Sequence, residues 1–64
     1  MKNVRKDVKE KLVNGYLKLK ATNPQQGGYR YHTNKADHYL GVIDGVYYFT
    51  TIGYDGTKYY SVGL

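Results

Sequence analysis

The sequence predicts a small α+β domain, with one amphipathic helix packed on an antiparallel sheet of four or five strands that ends in a three-stranded meander. Three observations lead there. Asp44-Gly45 separates two runs rich in strand formers, His38–Ile43 and Val46–Ile52, which is the strongest short-range signal for a hairpin. A second turn, Gly53-Tyr54-Asp55-Gly56, leads into a third such run, Thr57–Val62. The opening residues instead repeat apolar side chains at every fourth position, Val4, Val8 and Leu12, the spacing of a single helical stripe.

In chain order, residues 2–14 read as a basic helix, with Asn3 as its cap and Met1 beside its stripe. Asn14-Gly15 reads as the stop, because glycine ends helices in the left-handed conformation at little cost. On a helical wheel Lys2, Arg5, Lys6 and Lys9 share one flank, and Asp7 and Glu10 fall on the other side. Asp7–Lys11 and Lys6–Glu10 have the i, i+4 spacing of pairs that contribute about 0.2–0.5 kcal/mol each. Residues 16–22, YLKLKAT, alternate Leu17, Leu19 and Ala21 against Tyr16, Lys18, Lys20 and Thr22, which predicts a strand. The alternative is a helix that continues through Gly15, at about 1 kcal/mol relative to Ala. Asn23–Gly28 is a loop, marked by the only proline and a Gly-Gly pair. It carries neither of the glycine patterns that cradle phosphates. Tyr29–Thr33 is a short strand with Tyr29, Tyr31 and Thr33 on one face and Arg30 and His32 on the other; Asn34–Asp37 is a turn. The strands thus fall at about 16–22, 29–33, 38–43, 46–52 and 57–62.

A two-residue turn at Asp44-Gly45 sets Ile43 opposite Val46, Gly41 opposite Tyr48 and Tyr39 opposite Thr50. Alternation then yields a compact apolar face of Leu40, Val42, Tyr47 and Phe49, the expected core. The second face holds Tyr39, Gly41, Ile43, Val46, Tyr48, Thr50 and Ile52, with the Tyr48 ring expected over the Gly41 backbone. Two or four residues in the second loop place Tyr60 and Val62 with the core and Thr57, Tyr59 and Ser61 with the tyrosine face. A one-residue slip would exchange them. Gly63-Leu64 leaves no length for a further helix, so the αβββα layout of double-stranded-RNA-binding domains is not expected.

The 64 residues read as one domain, 1–64. A chain of this length buries only about 60% of its unfolded surface. Without cysteine it has neither a disulfide nor a thiolate metal site, and two histidines with scattered carboxylates do not form a structural zinc site. Self-association is the remaining source of stability, and sheet edges need protection, so a homodimer or higher oligomer is expected. No apolar run approaches the ~20 residues of a membrane helix, and no apolar segment of the kind found in signal peptides follows the basic start. A cytoplasmic protein without a membrane partner is the resulting expectation.

The net charge of +5 resides in residues 1–20, where seven Lys and Arg face two acids; residues 21–64 carry three of each. Eight of the nine tyrosines lie from Tyr29 onward. No catalytic or cofactor motif is present. Ser61 is the only serine, and His32 and His38 sit on different strands without a surrounding motif, so the chain reads as a non-enzymatic binding protein without cofactor or metal. Lys2, Arg5, Lys6, Lys9, Lys18, Lys20, Arg30 and His32 are the candidate contacts to phosphates or other anions. Tyr39, Tyr48 and Tyr59 are the candidate stacking face, at about 1–3 kcal/mol per stacked base. The leading expectation is therefore binding to nucleic acid or another anionic partner. A protein-binding inhibitor or adaptor, of a size that suits phages and mobile elements, is the second, acting through the tyrosines or an open sheet edge. The third is a homo-oligomer that holds a small anionic ligand such as a nucleotide among Arg30, His32 and the tyrosines.

Overall fold

The computed structural model describes residues 2–64; Met1 lies outside the described residues. One helix, α1 (Lys6–Thr22), packs on one face of a four-stranded antiparallel sheet. Its strands are β1 (Gly28–His32), β2 (Ala36–Ile43), β3 (Val46–Gly53) and β4 (Lys58–Val62), and they neighbour one another in chain order. The β2–β3 hairpin has the predicted register, with Ile43 opposite Val46, Gly41 opposite Tyr48 and Tyr39 opposite Thr50. Asp44 and Gly45 both take positive φ, 51° and 76°, the twist that two-residue hairpin loops require. β2 starts earlier than expected, so Ala36 and Asp37 belong to the strand rather than to the turn.

Two expectations are corrected. The first is the division of residues 2–22 into a helix at 2–14 and a strand at 16–22, in place of which one helix runs from Lys6 to Thr22. The apolar stripe continues past Gly15 to Tyr16, and Leu12 and Tyr16 are buried at 0% and 3% exposure. Leu17 and Leu19, whose alternation suggested the strand, stay 49% and 42% exposed. Gly15 stops nothing. A Cβ placed there would overlap the Tyr29 ring, with Cδ2 only 2.7 Å away, so glycine admits this β1 tyrosine to the helix surface.

The residues before Lys6 are extended. Lys2 bridges Tyr59 in parallel fashion, and the Tyr60 N–H donates to the Lys2 carbonyl at 2.8 Å. The buried Val4 N–H donates to Ser61 Oγ at 2.8 Å. This segment covers part of the outer edge of β4, a form of edge protection. Asn3 is accordingly no cap; Arg5 occupies the N-cap position and makes no capping hydrogen bond with its side chain.

The second correction concerns β4. Phe49 faces Ser61, Thr51 faces Tyr59 and Thr50 faces Tyr60. The preceding loop has three residues rather than two or four. The Gly53 N–H donates to the Thr57 carbonyl at 2.7 Å, and Gly56 closes the loop with φ 92°, a known three-residue hairpin form that ends in a left-handed glycine. The odd count reverses the alternation. Tyr59 and Ser61 lie on the helix-covered face, and Tyr60 and Val62 lie on the open one.

The core between the layers is Val4, Leu12, Tyr16, Leu40 and Phe49, bordered by Val8, Val13, Tyr29, Tyr31, Val42, Tyr47 and Tyr59. Tyr47 meets Tyr16 and Phe49 edge-on, at ring separations of 6.0 and 6.3 Å, the arrangement that ring quadrupoles favour. Lys9 and Lys20 hold their ammonium groups 5.5 Å from the Phe49 ring centroid and 5.6 Å from that of Tyr16, and their stems cover apolar surface.

Candidate functional site

Alternation along the strands gives the sheet an open face away from α1. β3 supplies Val46, Tyr48, Thr50 and Ile52; β2 places Asp37, Tyr39, Gly41 and Ile43 beside them, and β4 places Lys58, Tyr60 and Val62 on the other side. Arg30 and His32 of β1 extend the face beyond Tyr39. Its centre is apolar. Ile43, Val62, Tyr60, Ile52 and Val46 are 62%, 54%, 42%, 39% and 38% exposed, around half-buried Tyr39 and Tyr48. With strands about 4.8 Å apart and same-face residues about 7 Å apart, the patch measures roughly 300–400 Å² in projection, as large as apolar patches on monomers usually become. The Tyr48 ring does not lie over Gly41 as expected: a Cβ on Gly41 would meet nothing within 4 Å, so a notch opens between Tyr39 and Ile43.

The residues expected to contact anions divide between the two sides of the sheet. Lys6, Lys9, Lys18 and Lys20 are on α1, and Lys2 and Arg5 are in the segment before it. Several already have partners in the chain. Lys2 Nζ is 6.0 Å from the Tyr59 ring centroid, Lys9 Nζ donates to the Gly63 carbonyl at 3.4 Å, and Arg5 pairs with Asp7 at 3.0 Å on the surface. Only Arg30 and His32 share the open face with Tyr39 and Tyr48, around a shallow hollow that Asp37 also lines. Tyr59, expected on the stacking face, lies on the helix side, and Tyr60 stands in its place.

No protein family, curated protein or solved structure matches this chain. Its chemistry is therefore read from its own geometry.

On the helix side a cavity of about 500 Å³ opens between the start of α1 and the sheet. Arg5 lines it from just before α1, Asp7, Val8 and Lys11 from α1, Tyr31, Thr33 and Lys35 from β1 and its turn, and His38, Thr51 and Tyr59 from the rest of the sheet, with Asp55 and Thr57 from the β3–β4 loop. His38 is 7% exposed, and its Nδ1 lies 2.8 Å from Thr51 Oγ1. Its ring rests on that of Tyr31 at 4.7 Å, and Lys11 Nζ lies 4.5 Å from the Tyr31 centroid. Burial lowers the His38 pKa below its ordinary value and Lys11 lowers it further, against the opposing pull of Asp37 and Asp7. Burial, with Asp7 and Tyr29, raises the Tyr31 hydroxyl, so at neutral pH the imidazole and the phenol are both uncharged. The Asp55 carboxylate accepts the Thr57 N–H at 2.9 Å and is held below the usual carboxylate range by that bond. The burial of His38 was readable in the sequence, since it alternates in step with Leu40; the cavity beside it was not. Ser61 is taken up by Val4, and among the described residues no three His, Asp or Glu are grouped to hold a metal ion.

Proposed function

We propose that the chain is a non-enzymatic binding module, that its working surface is the open face of the sheet, and that its partner is an acidic protein with an apolar patch. The observation that carries this reading is the contiguous set Ile43, Val46, Ile52, Tyr60 and Val62, each 38–62% exposed, around Tyr39 and Tyr48. Removing such surface from water contributes about 25 cal/mol per Å², and tyrosines are favoured anchors at interface centres. On the open face itself Arg30 and Lys58 outnumber the one acid, Asp37, which favours an acidic partner. Arg30 and Lys58 border the patch, and a long-range positive field speeds encounter with an acidic protein while opposing a second copy of this chain.

A nucleic acid fits this face less well. Single-strand binders interleave cations with stacking rings, whereas here aliphatic side chains fill the positions between the tyrosines and most of the basic residues lie behind the sheet. The test is affinity capture from the host with the wild type, Val46→Glu, Tyr48→Ser and the pair Lys6→Gln/Lys18→Gln, with nuclease-treated and untreated lysates. The expected result is an acidic protein, identified by mass spectrometry, that survives nuclease, is lost with Val46→Glu and Tyr48→Ser, and is kept by the lysine pair. Capture of nucleic acid, capture abolished by the lysine changes alone, or a wild-type dimer that Val46→Glu converts to monomer would each overturn the proposal.

A further inference from the structure

We infer that the cavity beneath the first turn of α1 is a binding site for a small phosphomonoester. This site lies on the opposite side of the sheet from the open face and does not depend on the reading of that face. Three cations reach the cavity from separate segments: Arg5 at the helix start, Lys11 in the helix and Lys35 in the β1–β2 turn. The first turn of the 17-residue helix has no side-chain cap, although Asp7 within it already complements the dipole, so its leading N–H groups still lack a capping acceptor and can receive an anion.

His38 supplies an independent observation. Its side chain is more than nine-tenths buried and lines the cavity. Nδ1 lies 2.8 Å from Thr51 Oγ1, while Nε2 makes no hydrogen bond to another described residue. Among the described residues no buried side-chain nitrogen or oxygen lacks a partner, so Nε2 is the solvent-accessible side of an otherwise buried ring. When the Thr51 hydroxyl donates to Nδ1, Nε2 carries the proton and offers it to the cavity.

The wall also carries two carboxylates, both already engaged. Asp7 pairs with Arg5 at 3.0 Å, and Asp55 accepts the Thr57 N–H at 2.9 Å. With Arg5 shared with Asp7, Lys11, Lys35, the Nε2 side of His38 and the uncapped first turn still offer contacts from more directions than the two oxygens of a carboxylate can use. The three terminal oxygens of a phosphomonoester match them better. The cavity, at about 500 Å³, exceeds what the phosphate alone would fill and lies in the range of small-molecule sites. Val8, Ala36 and the Tyr59 ring form an apolar wall for the organic remainder.

The probes are inorganic phosphate, phenyl phosphate and benzoate, titrated at constant ionic strength and followed by amide and histidine-ring NMR shifts. The expected result is saturable shifts at Lys6–Val8 and at the His38 ring, with phenyl phosphate the tightest of the three. Lys11→Gln/Lys35→Gln removes two cations and is expected to weaken it by at least about tenfold, the effect of losing even one charge-assisted hydrogen bond. Lys18→Gln/Lys20→Gln removes the same charge outside the cavity and is expected to leave the affinity within about twofold. Amide shifts of the unliganded variants confirm that each is folded. Non-saturating shifts spread over all lysines, equal losses in the two double variants, or benzoate binding as tightly as phenyl phosphate would overturn the assignment.

Discussion

The packing of Tyr29 on Gly15 makes a prediction of unusual sign. Gly15→Ala in an ordinary helix interior stabilises by about 0.8–1 kcal/mol, because alanine fixes less backbone entropy on folding. Here the new methyl would enter the space of the Tyr29 ring. Tyr29 is half-buried and packs against the core, and β1 pairing holds its backbone opposite Leu40. Forcing a group into a filled site of this kind costs about 1–3 kcal/mol. The sum for Gly15→Ala is a loss of up to about 2 kcal/mol, instead of the gain that helix propensity alone would give. In a Tyr29→Ala background the obstruction is gone, and the same substitution is expected to stabilise by about 1 kcal/mol. The coupling of about 1–3 kcal/mol is read from a double-mutant cycle, using urea unfolding followed by far-ultraviolet circular dichroism with a common m-value. For a domain of this size each kcal/mol corresponds to roughly 4–8 °C in Tm. If Gly15→Ala stabilises the wild type by the full propensity value, equally in both backgrounds, then the ring does not rest on Gly15 and the account of this glycine is wrong.

Three further outcomes follow from the packing. Because burial lowers the pKa of His38 in the folded chain, the unfolded chain takes up the proton first as pH falls. The contribution is therefore complete above about pH 6.5 and is lost progressively below it. His38→Gln should flatten the dependence of the urea midpoint on pH between neutrality and mild acid, and an unchanged slope would exclude His38 as its source. Ser61→Ala strips the buried Val4 N–H of its acceptor and should destabilise by about 1–3 kcal/mol, with faster hydrogen exchange at Val4; unchanged exchange there would show the bond to be dispensable. Gly41→Ala places a methyl in the open notch at a residue without positive φ. It should raise stability by about 0.5–1 kcal/mol, whereas a fall in the urea midpoint would mean that the notch is filled.

What the sequence disclosed, and what it hid, follows from how local each cause is. The β2–β3 register was legible because Asp44-Gly45 admits the positive φ of a two-residue loop directly. The β4 register was not, because Gly53-Tyr54-Asp55-Gly56 is compatible with loops of either parity. The choice rests on small local bonds: Asp55 accepts the Thr57 N–H, and Gly56 takes the left-handed conformation. At Gly15 the local signal misled, since glycine there answers to Tyr29, a partner in another element. Magnitudes favoured the longer helix all along: burying Tyr16 beside Leu12 contributes on the order of 1.5–3 kcal/mol per large side chain, more than the ~1 kcal/mol penalty of an interior glycine.

The surfaces show the same division. Composition disclosed a basic start and a tyrosine-rich remainder but not the side of the sheet on which each would fall. One extra loop residue moves Tyr59 to the wall of the cavity and Tyr60 to the open face, so a single local turn apportions the aromatic side chains between two surfaces set back to back. The cavity draws its cations and its imidazole from α1, the β1–β2 turn and β2, a grouping that no short motif encodes. Its one legible trace was the parity of His38 with Leu40, which marks a histidine that faces the helix side of the sheet.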